Sequence, residues 1–157
     1  LNNIKNHLFY MEQALIQAKI AKENNEVPVG AVVVQDNVIV GKGFNQNIYF
    51  NSVSAHAEII AINDASNYLK NYRLINCEIY VTLEPCHMCA KAIVDARLKH
   101  LYFSTPDPKT GAIISIDSFL SKSFLNHKVN YEYGFLEKDS SLLLKKFFQA
   151  RRQKNRA

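Results

Sequence analysis

The sequence predicts an α/β fold, with helices layered on a five-stranded sheet. Short apolar, β-branched runs alternate along the chain with longer segments of helical periodicity, the order expected of strand–helix–strand units. Two of the helices open on chemistry-bearing motifs, His56-Ala57-Glu58 and Pro85-Cys86-His87-Met88-Cys89. A layered α/β sheet brings such helix N-termini together at the carboxyl ends of its strands. With 157 residues, 48% of them apolar, one domain over 1–157 has enough side chain for a core.

Leu8, Met11, Leu15 and Ala18 recur at helical spacing, with Glu12, Gln13, Lys19 and Lys22 between them. They predict a helix from about Asn6 to Asn24 packed by one face. Ala31-Val32-Val33-Val34 reads as a buried strand. Gln35-Asp36-Asn37 is a turn, and Val38-Ile39-Val40 returns as the second strand of a hairpin ended by Gly41 and Gly43. Gly41-Lys42-Gly43 is not a phosphate loop, because no helix follows it. Phe44 to Ser54 is a loop rich in Asn (Asn45, Asn47, Asn51), a place where substrate contacts gather and where Asn also forms turns. Ser54 is the expected N-cap of a helix from His56 to Leu69, whose Ile59, Ile60 and Ile62 face the sheet.

Cys77, Ile79 and Val81 alternate with Glu78, Tyr80 and Thr82, a third strand within Arg73 to Thr82. Pro85 then opens a helix that runs to about Ala96. His100 to Ser104 is a fourth strand. Thr105 to Gly111 is a loop stiffened by Pro106 and Pro108. Val129 to Tyr133 is a fifth strand, and the stretch 105–128 is long enough for a parallel crossover with a helical piece at Asp117 to Ser121. Glu137 to about Lys154 closes the chain as a helix with Leu142, Leu143, Phe147 and Ala150 as its buried stripe.

The two motifs define a metal site. Cys86 and Cys89 are three apart, hence on one face of a first helical turn, and cannot close a zinc site alone. His56 is the natural third ligand. In a helix interior His56 and Glu58 would point to opposite sides, so both belong to the first turn, with the site off the helix end. Structural zinc takes four protein ligands, whereas catalytic zinc takes three and keeps a place for water. The water becomes acidic, with a pKa of about 7, and a nearby carboxylate, Glu58, takes its proton. A helix N-terminus also favours the thiolates that zinc needs. His-x-Glu followed by Pro-Cys-x-x-Cys is the signature of zinc nucleobase deaminases, in which hydroxide attacks an amidine-type ring carbon, the glutamate moves the proton and ammonia leaves. A structural zinc site would need His87 as fourth ligand, but His87 adjoins Cys86 and should point elsewhere. His7, His100 and His127 have no partner pattern.

Composition narrows the setting. No apolar run is long enough to span a bilayer, and no secretory leader is visible in Leu1 to Glu23. Three cysteines, two of them claimed by the metal motif, argue against a disulfide framework and fit a reducing cytosol, with Cys77 a small buried thiol. The net charge is +5 and uneven. Lys145 to Ala157 holds Lys145, Lys146, Arg151, Arg152, Lys154 and Arg156 and no acid. That segment reads either as a nucleic-acid contact or as a solvated helix end whose cations suit the helix dipole.

The chain resembles the bacterial tRNA-specific adenosine deaminase family, within the cytidine deaminase-like superfamily. The resemblance runs from the first helix to Arg152. It rests on Val27-Pro28-Val29-Gly30-Ala31, Ala55-His56-Ala57-Glu58, Asn71-Tyr72-Arg73-Leu74, Thr82-Leu83-Glu84-Pro85-Cys86-His87-Met88-Cys89, Asp107-Pro108-Lys109-Thr110-Gly111, and Phe147-Phe148 followed by Arg151-Arg152. It implies a three-layer α/β/α cytidine deaminase-like fold with a central five-stranded mixed sheet and helices on both faces. It also implies a cytoplasmic homodimer with one Zn2+ per subunit, converting adenosine to inosine at the wobble position (34) of a tRNA anticodon by attack at C6. By position, Asn45 would help hold the target nucleotide, and Asp107 would lie near the backbone or a 2′-hydroxyl of a neighbour. Lys109, Phe148, Arg151 and Arg152 would face the anticodon stem-loop. One of Phe147 and Phe148 should be core, since adjacent helix residues cannot both face inward. The competing readings are a zinc deaminase of free nucleobases or nucleosides (cytosine or guanine type), and a zinc-stabilised RNA-binding subunit without catalysis. The basic tail speaks against the first, and an unliganded Glu58 beside the metal speaks against the second.

Overall fold

The structure, a computed structural model, describes residues 2–156, so Leu1 and Ala157 of the expected 1–157 unit lie outside the described residues. The elements are α1 (Asn2–Glu23), β1 (Gly30–Gln35), β2 (Val38–Phe44), α2 (Asn47–Phe50), α3 (Ala57–Leu69), β3 (Cys77–Leu83), α4 (His87–Asp95), β4 (His100–Thr105), β5 (Asn130–Tyr133) and α5 (Glu137–Arg156), with a 3-10 turn at Phe119–Ser121. The strands form one sheet in the order β2-β1-β3-β4-β5. β1 is antiparallel to both β2 and β3, while β3, β4 and β5 are parallel. The mixed sheet follows from connection length: a two-residue turn joins β1 to β2, whereas α4 supplies the crossover between parallel β3 and β4.

Strand alternation sorts the core into two layers. Ala31, Val33, Ile79, Val81, Leu101 and Phe103 face one way, onto Ala57, Ala61 and Ala65 of α3 and Ile93 of α4. Val32, Val34, Tyr80 and Tyr102 face the other way, onto Tyr10, Met11 and Ala14 of α1. α5 lies against β3 and β4 beside α1. Both faces of β1 are therefore covered, which is why its sequence is a continuous apolar run rather than an alternating one.

Several expected details are corrected. Gly41 and Gly43 do not end β2, which runs on to Phe44. They let α3 press onto the strand: a Cβ at Gly41 would come within 2.4 Å of the Ala61 carbonyl oxygen, and one at Gly43 within 2.5 Å of that of Ala57. The helix face against them is accordingly Ala57, Ala61 and Ala65, with Ile62 buried and Ile59 and Ile60 only half-buried. The Asn-rich loop contains α2, whose Ile48 and Tyr49 amides donate to the buried Glu26 carboxylate (3.1 and 2.9 Å). Pro85 precedes α4 rather than opening it, because Cys86 is the N-cap. In α5 the buried residues are Ser140 and Phe147, while Leu142 and Ala150 are exposed and Leu143 is half-buried. The helix touches the core along one narrow line, and most of its surface is left to solvent. Among the described residues no helix is long and apolar enough to cross a membrane.

Candidate active site

Two helix starts meet at the carboxyl end of β3. His56 is the N-cap of α3, in extended backbone, so its imidazole leaves the helix end rather than its side. No Ser54 hydroxyl caps this helix, contrary to expectation. The cap comes from across the fold, where Asn45 Oδ1 accepts the Ala57 N–H at 2.8 Å, and Ser54 Oγ bonds Ser52 Oγ instead. Cys86 is the N-cap of α4, and Cys89 is buried in its first turn. His56 Nδ1 lies 3.7 Å from Cys86 Sγ and 3.4 Å from Cys89 Sγ, and all three donor atoms fall within 4.8 Å of one another. A tetrahedral zinc ion with Zn–N of about 2.05 Å and Zn–S of about 2.3 Å needs donor separations of about 3.6–3.8 Å. One nitrogen and two sulfurs at these spacings fit zinc in number, softness and geometry.

Zinc held by these three donors would keep a fourth position for water. His87 turns away as expected, its Nε2 2.8 Å from Asp117 Oδ2, and among the described residues the donor group has no fourth member. Glu58 is only 4% exposed, in the first turn of α3 next to the donors. Burial pushes its carboxyl up to about 7, a rise only partly offset by its backbone hydrogen bond and the nearby His56. The hydrogen bond from Cys89 and the His56 imidazole hold the Cys86 thiol down at about 4 against the opposing effect of burial. Its partner is the reverse: donating to Cys86, and burial, hold the Cys89 thiol protonated. The metal-free pair thus carries about one negative charge, and a cation would displace the second proton. Cys77 is fully buried and apart from this group, with its thiol pushed up by burial to about 11.

The remaining expected residues fall in three places. Asp107, Lys109, Phe148 and Arg152 line one groove of about 640 Å3 between the 105–110 loop and α5, floored by Leu83, Pro106 and Leu144. The groove contains none of His56, Glu58, Cys86 and Cys89. Asn45 is not in it either. Its side chain is the cap of α3, so it stands beside the donors. Arg151 points away from the groove: its guanidinium lies 4.6 Å from the Phe147 ring centre and 3.4 Å from the Asn25 carbonyl. Phe147 is buried and Phe148 is 39% exposed, which divides the pair into one core residue and one surface residue. Asp107 spends its carboxylate within its own loop, Oδ1 accepting the Lys109 amide at 3.0 Å and Oδ2 the Thr110 hydroxyl at 2.8 Å.

Sequence reasoning assigned no role to two buried carboxylates, Glu26 and Glu84. Glu84 Oε2 accepts the amides of Ile113, Ile114 and Ser115, and Oε1 accepts that of Asp107. Their only signal was position, Glu26 just before the Val27 stretch and Glu84 inside the Thr82–Cys89 stretch, and acidic residues are ordinarily solvated.

The MafB19-like deaminase family matches residues 5–152. A tRNA-specific adenosine deaminase of Haemophilus influenzae is 44% identical over 93% of this chain and 85% of its own. One from Aquifex aeolicus is 42% identical over 90% and 93%. A solved structure from work on A-to-I editing by tRNA:A34 deaminases at the wobble position of transfer RNA superposes with a TM-score of 0.84 at 42% identity, covering 87% of this chain and 99% of that one. A guanine deaminase of Nitrosomonas europaea, 21% identical with a TM-score of 0.74 over 88% of this chain and 82% of its own, shares the fold. The sheet order and layers are those of the three-layer α/β/α cytidine deaminase-like fold expected from the sequence.

Proposed function

The chain belongs to the tRNA-specific adenosine deaminase family, and on that premise we propose that it converts adenosine to inosine at the wobble position, 34, of a tRNA anticodon. The observation that carries the reading is the open three-donor group of His56, Cys86 and Cys89 with the buried Glu58 beside it. Zinc bound there would make water acidic enough to act as a nucleophile near neutral pH. Glu58, with a carboxyl near 7, both accepts and returns a proton in that range, as a general acid–base must. It would take one proton of the attacking water and pass it to the ring nitrogen beside C6, then take the second from the new C6 hydroxyl as the carbonyl forms and give it to the amine as the C6–N bond breaks, so that adenosine and water become inosine and ammonia.

The groove beside the centre is the proposed RNA platform. Lys109 and Arg152 would meet phosphates, Phe148 would offer a face to an unstacked base, and Asn45 would hold the target nucleotide with its Nδ2, Oδ1 being engaged at α3. Arg151 is proposed as a contact to the stem from the outer side of α5. Asp107 acts there through the loop shape that it sets. We read 1–157 as one deaminase domain, working as a homodimer in the cytoplasm, where tRNA is available.

The test is inosine formation in an anticodon stem-loop RNA carrying adenosine at the wobble position, with free adenosine and free cytidine in parallel and Glu58→Ala as control. Inosine in the stem-loop alone, lost in Glu58→Ala, is the expected result. Turnover of a free nucleoside with an untouched stem-loop would move the chain to the small-molecule deaminases.

A further inference from the structure

Glu84 stands directly before the metal-ligand segment and is 2% exposed. No lysine, arginine or histidine pairs with it among the described residues. Its charge is held by a loop instead. Oε1 accepts the Asp107 N–H at 2.9 Å and the Ser115 hydroxyl. Oε2 accepts the amides of Ile113 (3.0 Å), Ile114 (2.9 Å) and Ser115 (3.1 Å). One carboxylate thus gathers donors from both ends of the 107–115 loop. The backbone on either side repeats the connection: the Glu84 N–H donates to the Thr105 carbonyl, and the Ala112 N–H to that of Pro85, both at 2.9 Å. Gly111 completes the seat, since a Cβ there would lie 2.2 Å from the Glu84 carboxyl carbon.

A buried charge is tolerated only when its hydrogen-bonding capacity is filled, and among the described residues these loop amides have no other acceptor. The arrangement therefore ties two things that are separate in sequence. Cys86 is on the short segment that Glu84 begins, and Asp107, Lys109 and Pro108 are on the loop that Glu84 holds.

We propose that Glu84 is a positioning residue that clamps the 107–115 loop to the metal-ligand segment and so presets the groove wall for RNA. The proposal rests on the reading that this groove meets RNA. A clamped loop binds without first being ordered. A loop that holds its binding form for only a tenth of the time weakens apparent affinity about tenfold.

Glu84→Gln is the sharp variant, because its Nε2 must face either the Asp107 amide or the three amides of Ile113 to Ser115, donor against donor. Ser115→Ala is the mild one, losing a single hydroxyl. Gly111→Ala displaces the carboxylate from the other side. The measurements are amide hydrogen exchange, metal content after zinc loading, and kcat and KM on the stem-loop RNA. In Glu84→Gln, exchange at Asp107, Ile113, Ile114 and Ser115 should speed up at least about tenfold. Metal content should hold, and KM should rise about tenfold while kcat changes less. Ser115→Ala should move the same quantities in the same direction by less. Gly111→Ala and Glu84→Gln combined should do little more than either alone, since they break one clamp. Unchanged exchange in both Glu84→Gln and Ser115→Ala overturns the clamp. Faster exchange with an unchanged KM overturns its link to RNA, and metal loss would make Glu84 a support of the donors instead. If the wild type turns over no stem-loop RNA, the functional reading has failed, and the exchange rates alone then judge the clamp.

Discussion

Glu58, whose carboxyl burial raises to about 7, and Cys89, whose thiol is raised by its hydrogen bond with Cys86 and by burial, lead to different measurements. Glu58→Ala removes the proton carrier without touching a donor atom. Deamination should fall by on the order of 10²–10⁴ while metal content stays at the wild-type level, read by inosine formation and metal analysis on the same sample. Cys89 must give up its proton when a cation arrives, and His56, whose pKa is raised chiefly by its hydrogen bond with Cys86, must be neutral. Protons therefore compete with the metal. Zinc affinity, measured against a competing chelator, should weaken as the pH is lowered from 8 to 6, and an affinity independent of pH would contradict the donor assignment.

At the scale of elements, the start of α3 depends on Asn45, the residue that follows β2. Asn45→Ala strips the cap from the Ala57 amide and should cost about 1 kcal/mol in thermal or urea denaturation. Asn45→Asp keeps an acceptor and should retain most of that stability while losing the Nδ2 donor, so the pair separates the structural role from nucleotide contact. The groove between the 105–110 loop and α5 makes a second prediction. Each of Lys109→Ala and Arg152→Ala should reduce the slope of log K against log salt for stem-loop binding by about 0.7. A variant that weakens binding with an unchanged slope would place its side chain off the phosphates. Local signals did announce α1 by its stripe, β3 by its alternation, β1 by its apolar run and α4 by Pro85 and the cysteine spacing, because each is written within a short stretch, whereas the stripe expected of α5 proved mostly exposed. They did not announce the Asn45 cap. Ser54 had the right chemistry and the nearer position, but its hydroxyl is taken by Ser52, and local sequence cannot register that competition.

At the scale of the whole molecule, acid should loosen the join between the sheet and the 107–115 loop. Burial would raise the Glu84 carboxyl, but its hydrogen bonds from Ile114, Ser115 and Asp107 outweigh that and hold it below the ordinary 4.5. A carboxyl lowered on folding stabilises the fold above its ordinary value, and that stability is lost as the pH falls through the folded value. Urea denaturation at pH 6 and below pH 4 should show the wild type's advantage over Glu84→Gln shrinking with acid, and an advantage constant with pH would remove the charge from the account. The sequence by itself determined the layered fold and pointed to the His56, Cys86 and Cys89 group that could hold a metal, because strand and helix patterns and the two motifs are each written in a short stretch of chain. Only the tertiary structure decided that Asn45 caps α3, that Arg151 turns from the groove while Arg152 lines it, that Gly41 and Gly43 serve α3, and that Glu84 holds the loop. Each of those depends on which segments the sheet order brings together, and the partners, such as Glu84 with Ile113 to Ser115 or Asn45 with Ala57, lie too far apart along the chain for any local pattern to join them.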